Sequence, residues 1–186
     1  MSSIPSLERQ VWTALMAATI ALGAFLHFPL GPVPFSMQPF FIMLAGLVLG
    51  PAGGAASMLL YLLAGCLGLP VFAGGASGFA RLLGPTGGYL IGFIGQAAIA
   101  GLATRGRGED LSWVRGIGIL LLSLVPAYVL GVIVLKFVMH IGWAKVGTVG
   151  VLPFLPGDVI KTALVVAVYK MLRRRGALPT PPKSAR

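Results

Sequence analysis

The sequence GGASGFARLLGPTGGYLIG, residues 74–92, is rich in glycine and carries one cation, Arg81. The long apolar runs on either side of it are typical of lipid-facing helices, and this stretch is not. Irregular backbone at membrane depth persists only where protein or a water-filled cavity satisfies its polar groups. The stretch therefore predicts one wall of a binding site, and the apolar runs predict the helical frame that holds it.

The overall composition is that of an integral membrane protein. Of the 186 residues, 57% are hydrophobic and only 10% are charged, and the mean hydropathy is +0.95. A soluble domain carries about 25% charged residues. The formal net charge of +10 does not indicate a nucleic-acid partner, because the cations are scattered between apolar runs and form no basic face.

Six apolar segments are predicted to cross the membrane as helices: residues 9–28, 37–50, 55–69, 89–104, 114–141 and 156–171. The first has the length that a hydrocarbon core of about 30 Å requires. The second and third are short, but a single helix through both would run roughly 50 Å. The Pro-Ala-Gly-Gly sequence between them also favours a reversal. We therefore predict an all-α bundle of six transmembrane helices.

These helices are expected to form one domain, residues 1–175, followed by a Pro-rich, disordered tail, residues 176–186. With six spans, both termini and the loop after the fourth span share one side of the membrane. That side carries ten of the 14 cations, all but Arg81, Lys136, Lys145 and Lys161. The positive-inside rule makes it the cytoplasm. The loops at residues 29–36, 70–88 and 142–155 then lie outside.

Asp158 and Lys161 are the strongest candidates for contact with a ligand. They share one face of the last predicted helix, and Asp158 is the only acid outside the predicted cytoplasmic segments. An ionisable residue at the centre of a span costs roughly 2.5–3.5 kcal/mol on insertion scales and suggests a functional site. Alternatively, both residues have a purely structural role. Asp158 then interacts with the helix dipole in the first turn of a helix that begins at Pro156, and Lys161 either neutralises Asp158 or extends its ammonium group outward to water. As a site, the pair offers an acceptor and a donor to adjacent N–H and C=O groups.

The other predicted substrate-binding residues lie near the outer face. Arg81 can clamp an anionic group, or can anchor the chain at the membrane interface. Gln38 either contacts the ligand or begins the second span, and Tyr89 either packs on the ligand or belongs to the interfacial aromatic belt. Gly75 and Ser77, in the glycine-rich stretch, complete the predicted set.

The first span has a face of small residues: Ala14, Ala17, Ala18 and Ala21. Small faces let another helix approach closely. This face is predicted either to pack inside the bundle or to dock on a partner membrane protein.

No catalytic, metal or nucleotide site is expected. His27 and His140 lie far apart in the sequence, and no Ser-His-Asp or paired-carboxylate set can be assembled. The lone Cys66 excludes a cysteine-based metal cluster. The sequence GDVIKT, residues 157–162, lacks the glycine that a phosphate loop has before its lysine. We therefore expect neither a cofactor nor a metal, and any ATP-driven transport needs partner ATPases.

The stretch GGASGFARLLGPTGGYLIGF, residues 74–93, resembles the BioY family of biotin-transport proteins. The resemblance continues in ALMAATIALGA, VPFSMQ and PGDVIK, residues 14–24, 33–38 and 156–161. It implies a six-helix substrate-capture subunit, or S component, of an energy-coupling-factor (ECF) transporter in the bacterial cell membrane. It also implies that Asp158 and Lys161 hold the ureido ring of biotin, and that Arg81 or a neighbour meets the valerate carboxylate.

The resemblance further implies that the alanine face docks on a transmembrane coupling protein, with two ABC-type ATPases below it. Several alternatives stay open. One is a capture subunit for a different vitamin, and another is a protein that transports without partner subunits. A third is a membrane-embedded enzyme such as a lipid transferase, which would need several clustered acids or histidines at the membrane interface. The last is a purely structural role.

Overall fold

The computed structural model describes residues 4–29, 31–104 and 111–179, and most of them are helical. The elements follow the chain in the order α1 (Ile4–Phe25), β1 (His27–Phe28), β2 (Phe35–Ser36), α2 (Gln38–Cys66), α3 (Gly87–Gly101), α4 (Trp113–Ser123), α5 (Val125–Met139), α6 (Trp143–Gly150) and α7 (Leu155–Arg174). The two short strands pair antiparallel and close the loop between α1 and α2.

Helix α2 is a hairpin of two arms. Gly50 interrupts the helical backbone with φ 72° and ψ −178°, and Pro51 follows it. A Cβ atom on Gly54 would lie 2.7 Å from the Cα atom of Gly46, whereas residues eight apart in a straight helix are separated by about 12 Å. The chain therefore reverses at Gly50, and the two arms, residues 38–49 and 51–66, count as separate spans. This reversal was predicted from the Pro-Ala-Gly-Gly sequence.

The fifth predicted span consists of α4 and α5, which meet at Leu124. Together they form one of the stretches long and apolar enough to cross a membrane, Trp113–Met139. Proline is tolerated at position 126 because it lies in the first turn of α5. A backbone N–H in the first turn would have no hydrogen-bond partner within the helix, so its absence costs no helical hydrogen bond. Helix α3 packs against α2, α4 and α5 and so lies at the centre of the bundle.

The loop predicted at residues 142–155 was partly wrong, because it contains helix α6. Helices α6 and α7 are bent by 42° at a short break, and as a bent pair they are long and apolar enough to form a further span. With α1, the two arms of α2, α3, the α4–α5 pair and the α6–α7 pair, the described residues give the predicted six-helix bundle. Helix α7 therefore begins at this bend, and Asp158 in its first turn is buried although Leu155 is exposed.

The ends of the predicted segments differ in detail. Helix α1 begins at Ile4, earlier than residue 9. In the predicted disordered tail, residues 176–179 are described: the Ala177 amide donates to the Leu172 carbonyl at 3.0 Å, and Leu178 packs on a buried cluster. The rest of the tail and the loop at residues 105–110 lie outside the described residues.

Residues 74–86 of the glycine-rich stretch form an irregular cap, whereas residues 87–92, which were also predicted to be irregular, begin helix α3. The cap contains two short 3₁₀ turns, Ala73–Gly75 and Phe79–Leu83, and an isolated bridge joins Phe72 to Ala76. Phe72 is buried against Tyr61 of α2, with ring centroids 5.6 Å apart. This anchor holds the irregular segment against the helices, beside the site described next.

Candidate substrate-binding site

A cavity lies between the helices beside the glycine-rich segment. Its walls come from the loop before α2, from the first turn of α2, and from α3, α5 and α7. It contains about 710 Å³ of space not filled by protein atoms, including its open mouth.

The Asp158–Lys161 pair lies in this cavity. Lys161 Nζ donates to Asp158 Oδ1 at 2.9 Å, and the two residues are only 4% and 3% exposed. Asp158 occupies the first turn of α7, where the helix dipole favours a negative charge. Lys161 follows one turn later on the same face, and both side chains line the cavity.

Tyr128 of α5 completes the environment of the carboxylate. Its hydroxyl donates to Asp158 Oδ2 at 2.6 Å. Sequence reasoning missed this residue, because nothing in the local sequence of α5 indicates a partner on α7. The available signal was a tyrosine in a largely apolar helix, since a buried hydroxyl usually requires a hydrogen-bond partner.

Phe35 packs against the ammonium group of Lys161. Lys161 Nζ lies 4.0 Å from the centroid of the Phe35 ring, within cation–π distance. The Phe35 ring also stacks on Phe154 at 6.2 Å. Position 157 has no room for a side chain, since a Cβ atom on Gly157 would lie 2.5 Å from Phe35 Cζ. The absence of a side chain at Gly157 thus allows Phe35 to contact Lys161.

Gln38, which was predicted to contact a ligand, lines the cavity at the start of α2. Its Nε2 donates to the hydroxyl of Tyr61 at 2.9 Å, and this hydroxyl donates to the Val71 carbonyl at 3.2 Å. The two hydrogen bonds connect both arms of α2 to the loop that follows them. They fix the carboxamide of Gln38 at the cavity wall.

Tyr89 lines the cavity from the first turn of α3. Its hydroxyl donates to the Gly150 carbonyl at 2.7 Å, so it ties α3 to the end of α6. With the hydroxyl engaged, Tyr89 offers the cavity mainly its ring.

Arg81 lines the cavity from the second 3₁₀ turn. Within residues 4–29, 31–104 and 111–179, its guanidinium has no hydrogen-bond or ion-pair partner. The charged residues of the lining are Arg81, Lys161 and Asp158, which leaves two positive charges against one negative. The cavity therefore favours a ligand with one negative charge.

The remaining predicted residues are not brought to the cavity. Gly75 and Ser77 are exposed on the glycine-rich segment and are absent from the cavity lining. In the part of the chain that the structure describes, no group of three or more His, Cys, Asp or Glu side chains is arranged to hold a metal ion.

Only part of the alanine face of α1 is exposed, because the rest packs inside the bundle. Ala14 and Ala18 are exposed, whereas Ala17 is buried in the core and Ala21 is partly buried against it. Large apolar neighbours on α1, including Leu15 and Leu22, are also exposed. The part of the alanine face that a partner helix could contact is therefore centred on Ala14 and Ala18.

Gln96 of α3 is a second polar residue of the cavity that sequence reasoning missed. It lines the cavity and is fully buried, and neither its Oε1 nor its Nε2 atom has a hydrogen-bond partner among the described residues. A glutamine within the apolar sequence GFIGQAAIAG was the available signal, because polar residues inside a span are costly unless they are paired or functional.

The rest of the lining is largely apolar and aromatic, and includes Phe72, Phe93 and Phe154. A site with polar groups at a few points and apolar walls between them suits a compact ligand with separate polar ends. The BioY family model matches residues 1–177.

The chain belongs to the BioY family.

Individual relatives agree with this assignment. The chain is 42% identical over 160 residues to a protein of Pyrococcus horikoshii named probable biotin transporter BioY, covering 86% of this chain and 93% of the relative. It is 41% identical over 167 residues to the biotin transporter BioY of Thermotoga maritima, covering 90% and 95% of the two chains.

A solved structure also matches this BioY-family chain. It is the crystal structure of the S-component for biotin from an ECF-type ABC transporter, with a TM-score of 0.84 and 33% identity. The match covers 94% of this chain and 95% of the other. The described helices therefore have the fold of an ECF S component.

Proposed function

We propose that this protein captures biotin in the cavity and acts as the biotin S component of an ECF-type transporter. Family membership and the match to a biotin S component support the assignment of substrate. In this chain, the main structural support for biotin as the substrate is the buried Asp158–Lys161 pair. The pair presents an acceptor and a donor 2.9 Å apart in a cavity with apolar walls.

The ureido ring of biotin is proposed to bind at this pair. A carboxylate oxygen accepts from ureido N–H, and an ammonium group donates to the ureido carbonyl. Asp158 has lone pairs left after its bonds to Lys161 and Tyr128, and Lys161 has further N–H donors. Burying an ion pair costs free energy, and truncating one partner costs more. A ligand that hydrogen-bonds both groups offsets part of that cost.

The valerate carboxylate is proposed to bind Arg81. Its guanidinium lines the cavity, and the lining has one excess positive charge. A guanidinium can donate two parallel hydrogen bonds to a carboxylate. The fused rings, with their thioether sulfur, would then pack between the aromatic side chains of Phe72, Phe93 and Phe154.

Delivery to the cytoplasm is proposed to need partners: a transmembrane coupling protein and two ABC-type ATPases. The exposed part of the α1 face, around Ala14 and Ala18, is the proposed docking surface, since small residues allow close helix approach. The cavity would load from outside a bacterial cell membrane, with both chain termini in the cytoplasm. Residues 1–175 would then reorient as one domain to release biotin inward.

The substrate assignment can be tested with purified protein in detergent. Biotin is titrated calorimetrically, and thiamine and riboflavin are then offered as competitors at a large excess. The proposal predicts saturable biotin binding that neither competitor displaces. Displacement by another vitamin at comparable concentration would assign a different substrate, and the absence of biotin binding would contradict the proposal.

A further inference from the structure

Among the described residues that line the cavity, Gln96 is the buried one whose side-chain polar atoms have no hydrogen-bond partner. Its side chain is 0% exposed, and both of its polar atoms lack hydrogen-bond partners within the described residues. Buried polar side chains are nearly always hydrogen-bonded, because the lost hydration is otherwise uncompensated. Since Gln96 lines the cavity, we expect its partner to come from whatever occupies the cavity.

The position of Gln96 limits which part of a ligand it can meet. Four residues of α3 line the cavity: Tyr89, Leu90, Phe93 and Gln96. Gln96 is the farthest along the helix, nine residues beyond Gly87, or roughly 13 Å from the start of α3. It therefore lies at the end of the cavity remote from the glycine-rich segment that carries Arg81.

The chemistry of the ureido ring leaves one group without a partner in the proposed complex. The ring has two N–H donors on opposite sides of one carbonyl. Asp158 can accept from one N–H, and Lys161 can donate to the carbonyl. The other carboxamide of the lining, that of Gln38, is oriented at the start of α2 by the hydrogen bond from its Nε2 atom to the Tyr61 hydroxyl. The second N–H therefore needs a further acceptor.

We propose that Gln96 Oε1 accepts a hydrogen bond from the second ureido N–H of biotin and is a specificity-determining residue of this protein. This inference rests on the proposed function and adds to it a contact outside the Asp158–Lys161 pair. A site built to hydrogen-bond a ligand group rejects analogues that lack it, because its own buried polar atom is then left unpaired. Gln96 thus selects ligands with a free N–H on both sides of the ureido carbonyl.

The test compares the wild-type protein with Gln96→Met, which has nearly the same size and shape but no hydrogen-bonding amide. Dissociation constants are measured for biotin and for its two analogues methylated on one or the other ureido nitrogen. We expect Gln96→Met to bind biotin about five- to tenfold more weakly, the effect of one lost hydrogen bond. The analogue methylated on the nitrogen that faces Gln96 should bind both proteins about equally.

Controls separate a ligand contact from a structural role. Ser57→Ala removes another buried polar group, which is outside the cavity lining, and should leave biotin affinity unchanged. Without ligand, Gln96→Met should unfold at the same or a higher temperature than the wild type, because it removes an unpaired amide. Gln96→Leu provides a second apolar variant if the methionine variant does not fold.

The outcomes are distinct. Unchanged biotin affinity in Gln96→Met would overturn the inference and leave the proposed function intact. Equal weakening for biotin and for both methylated analogues would also overturn it, since the contact would then not be to a ureido N–H. If the wild-type protein did not bind biotin, the proposed function would fail, and this inference with it.

Discussion

The Tyr128 hydroxyl donates a 2.6 Å hydrogen bond to Oδ2 of Asp158, while Lys161 Nζ donates to Oδ1 at 2.9 Å. The carboxylate is therefore held from two helices, by α5 on one oxygen and by α7 on the other. Because the protein already orients Asp158 before a ligand arrives, little conformational freedom is lost when a ligand binds it. Pre-organisation of this kind raises affinity.

Replacing Tyr128 with phenylalanine removes one of these two restraints. We expect biotin binding to weaken by about tenfold, since hydrogen bonds to charged groups contribute about 1.5–3 kcal/mol and part of this is recovered by relaxation. Calorimetric titration of the purified variant measures the change. Tyr169→Phe is the matched control, because Tyr169 is buried on α7 but outside the cavity lining. Wild-type affinity in Tyr128→Phe would show that the hydrogen bond has no part in binding.

Substitutions of the ion pair are predicted to be strongly non-additive in stability. Lys161→Met leaves the buried Asp158 carboxylate without its cation and should lower the free energy of unfolding by about 3–5 kcal/mol. Combining it with Asp158→Asn removes both charges and should restore most of that loss. Chemical unfolding of the ligand-free protein in detergent measures both variants. A double variant less stable than Lys161→Met would contradict the prediction.

Arg81→Met is predicted to affect only ligands that carry a carboxylate. Biotin should bind about tenfold more weakly or worse, because an ionic hydrogen bond is lost. Biotinamide, which has no negative charge, should bind the variant and the wild type about equally. Lys145→Met removes an exposed cation outside the cavity lining and controls for net charge. Equal losses for biotin and biotinamide would place the carboxylate elsewhere.

Enlarging Ala18, one of the exposed alanines of α1, is predicted to impair biotin transport without weakening biotin binding. Ala18→Leu should leave biotin affinity of the purified protein unchanged but reduce biotin uptake by cells that supply the coupling protein and ATPases, because a larger side chain prevents close helix approach. Ala56→Leu makes the same change at an exposed position of α2 and should transport normally. Normal uptake by Ala18→Leu would show that partners dock elsewhere.

The helical frame could be predicted from the sequence because its signals are local. The reversal in α2 follows from Gly50 and Pro51, which are adjacent in the chain. Helix α6 was not predicted, since its eight residues contain two glycines and form no long apolar run. Tertiary contacts stabilise it: Val146 is fully buried, and Tyr89 binds the Gly150 carbonyl.

The candidate site was predictable only in part. Asp158 and Lys161 were detectable because ionisable residues are rare in apolar segments, and they are close in the chain. Tyr128 meets Asp158 across 30 sequence positions, a pairing that no local pattern encodes. Gly75 and Ser77 lie outside the cavity lining, since composition alone does not tell which residues of an irregular loop face a cavity.

The most direct test of the proposed site is the affinity of Asp158→Asn for biotin. Asparagine preserves the size of the side chain but replaces the charged acceptor, so the ureido N–H and Lys161 both lose their anionic partner. The wild-type protein should bind biotin tightly in a calorimetric titration, and Asp158→Asn should abolish measurable binding under the same conditions. Retention of wild-type affinity by Asp158→Asn would contradict the assignment of this pair as the biotin site.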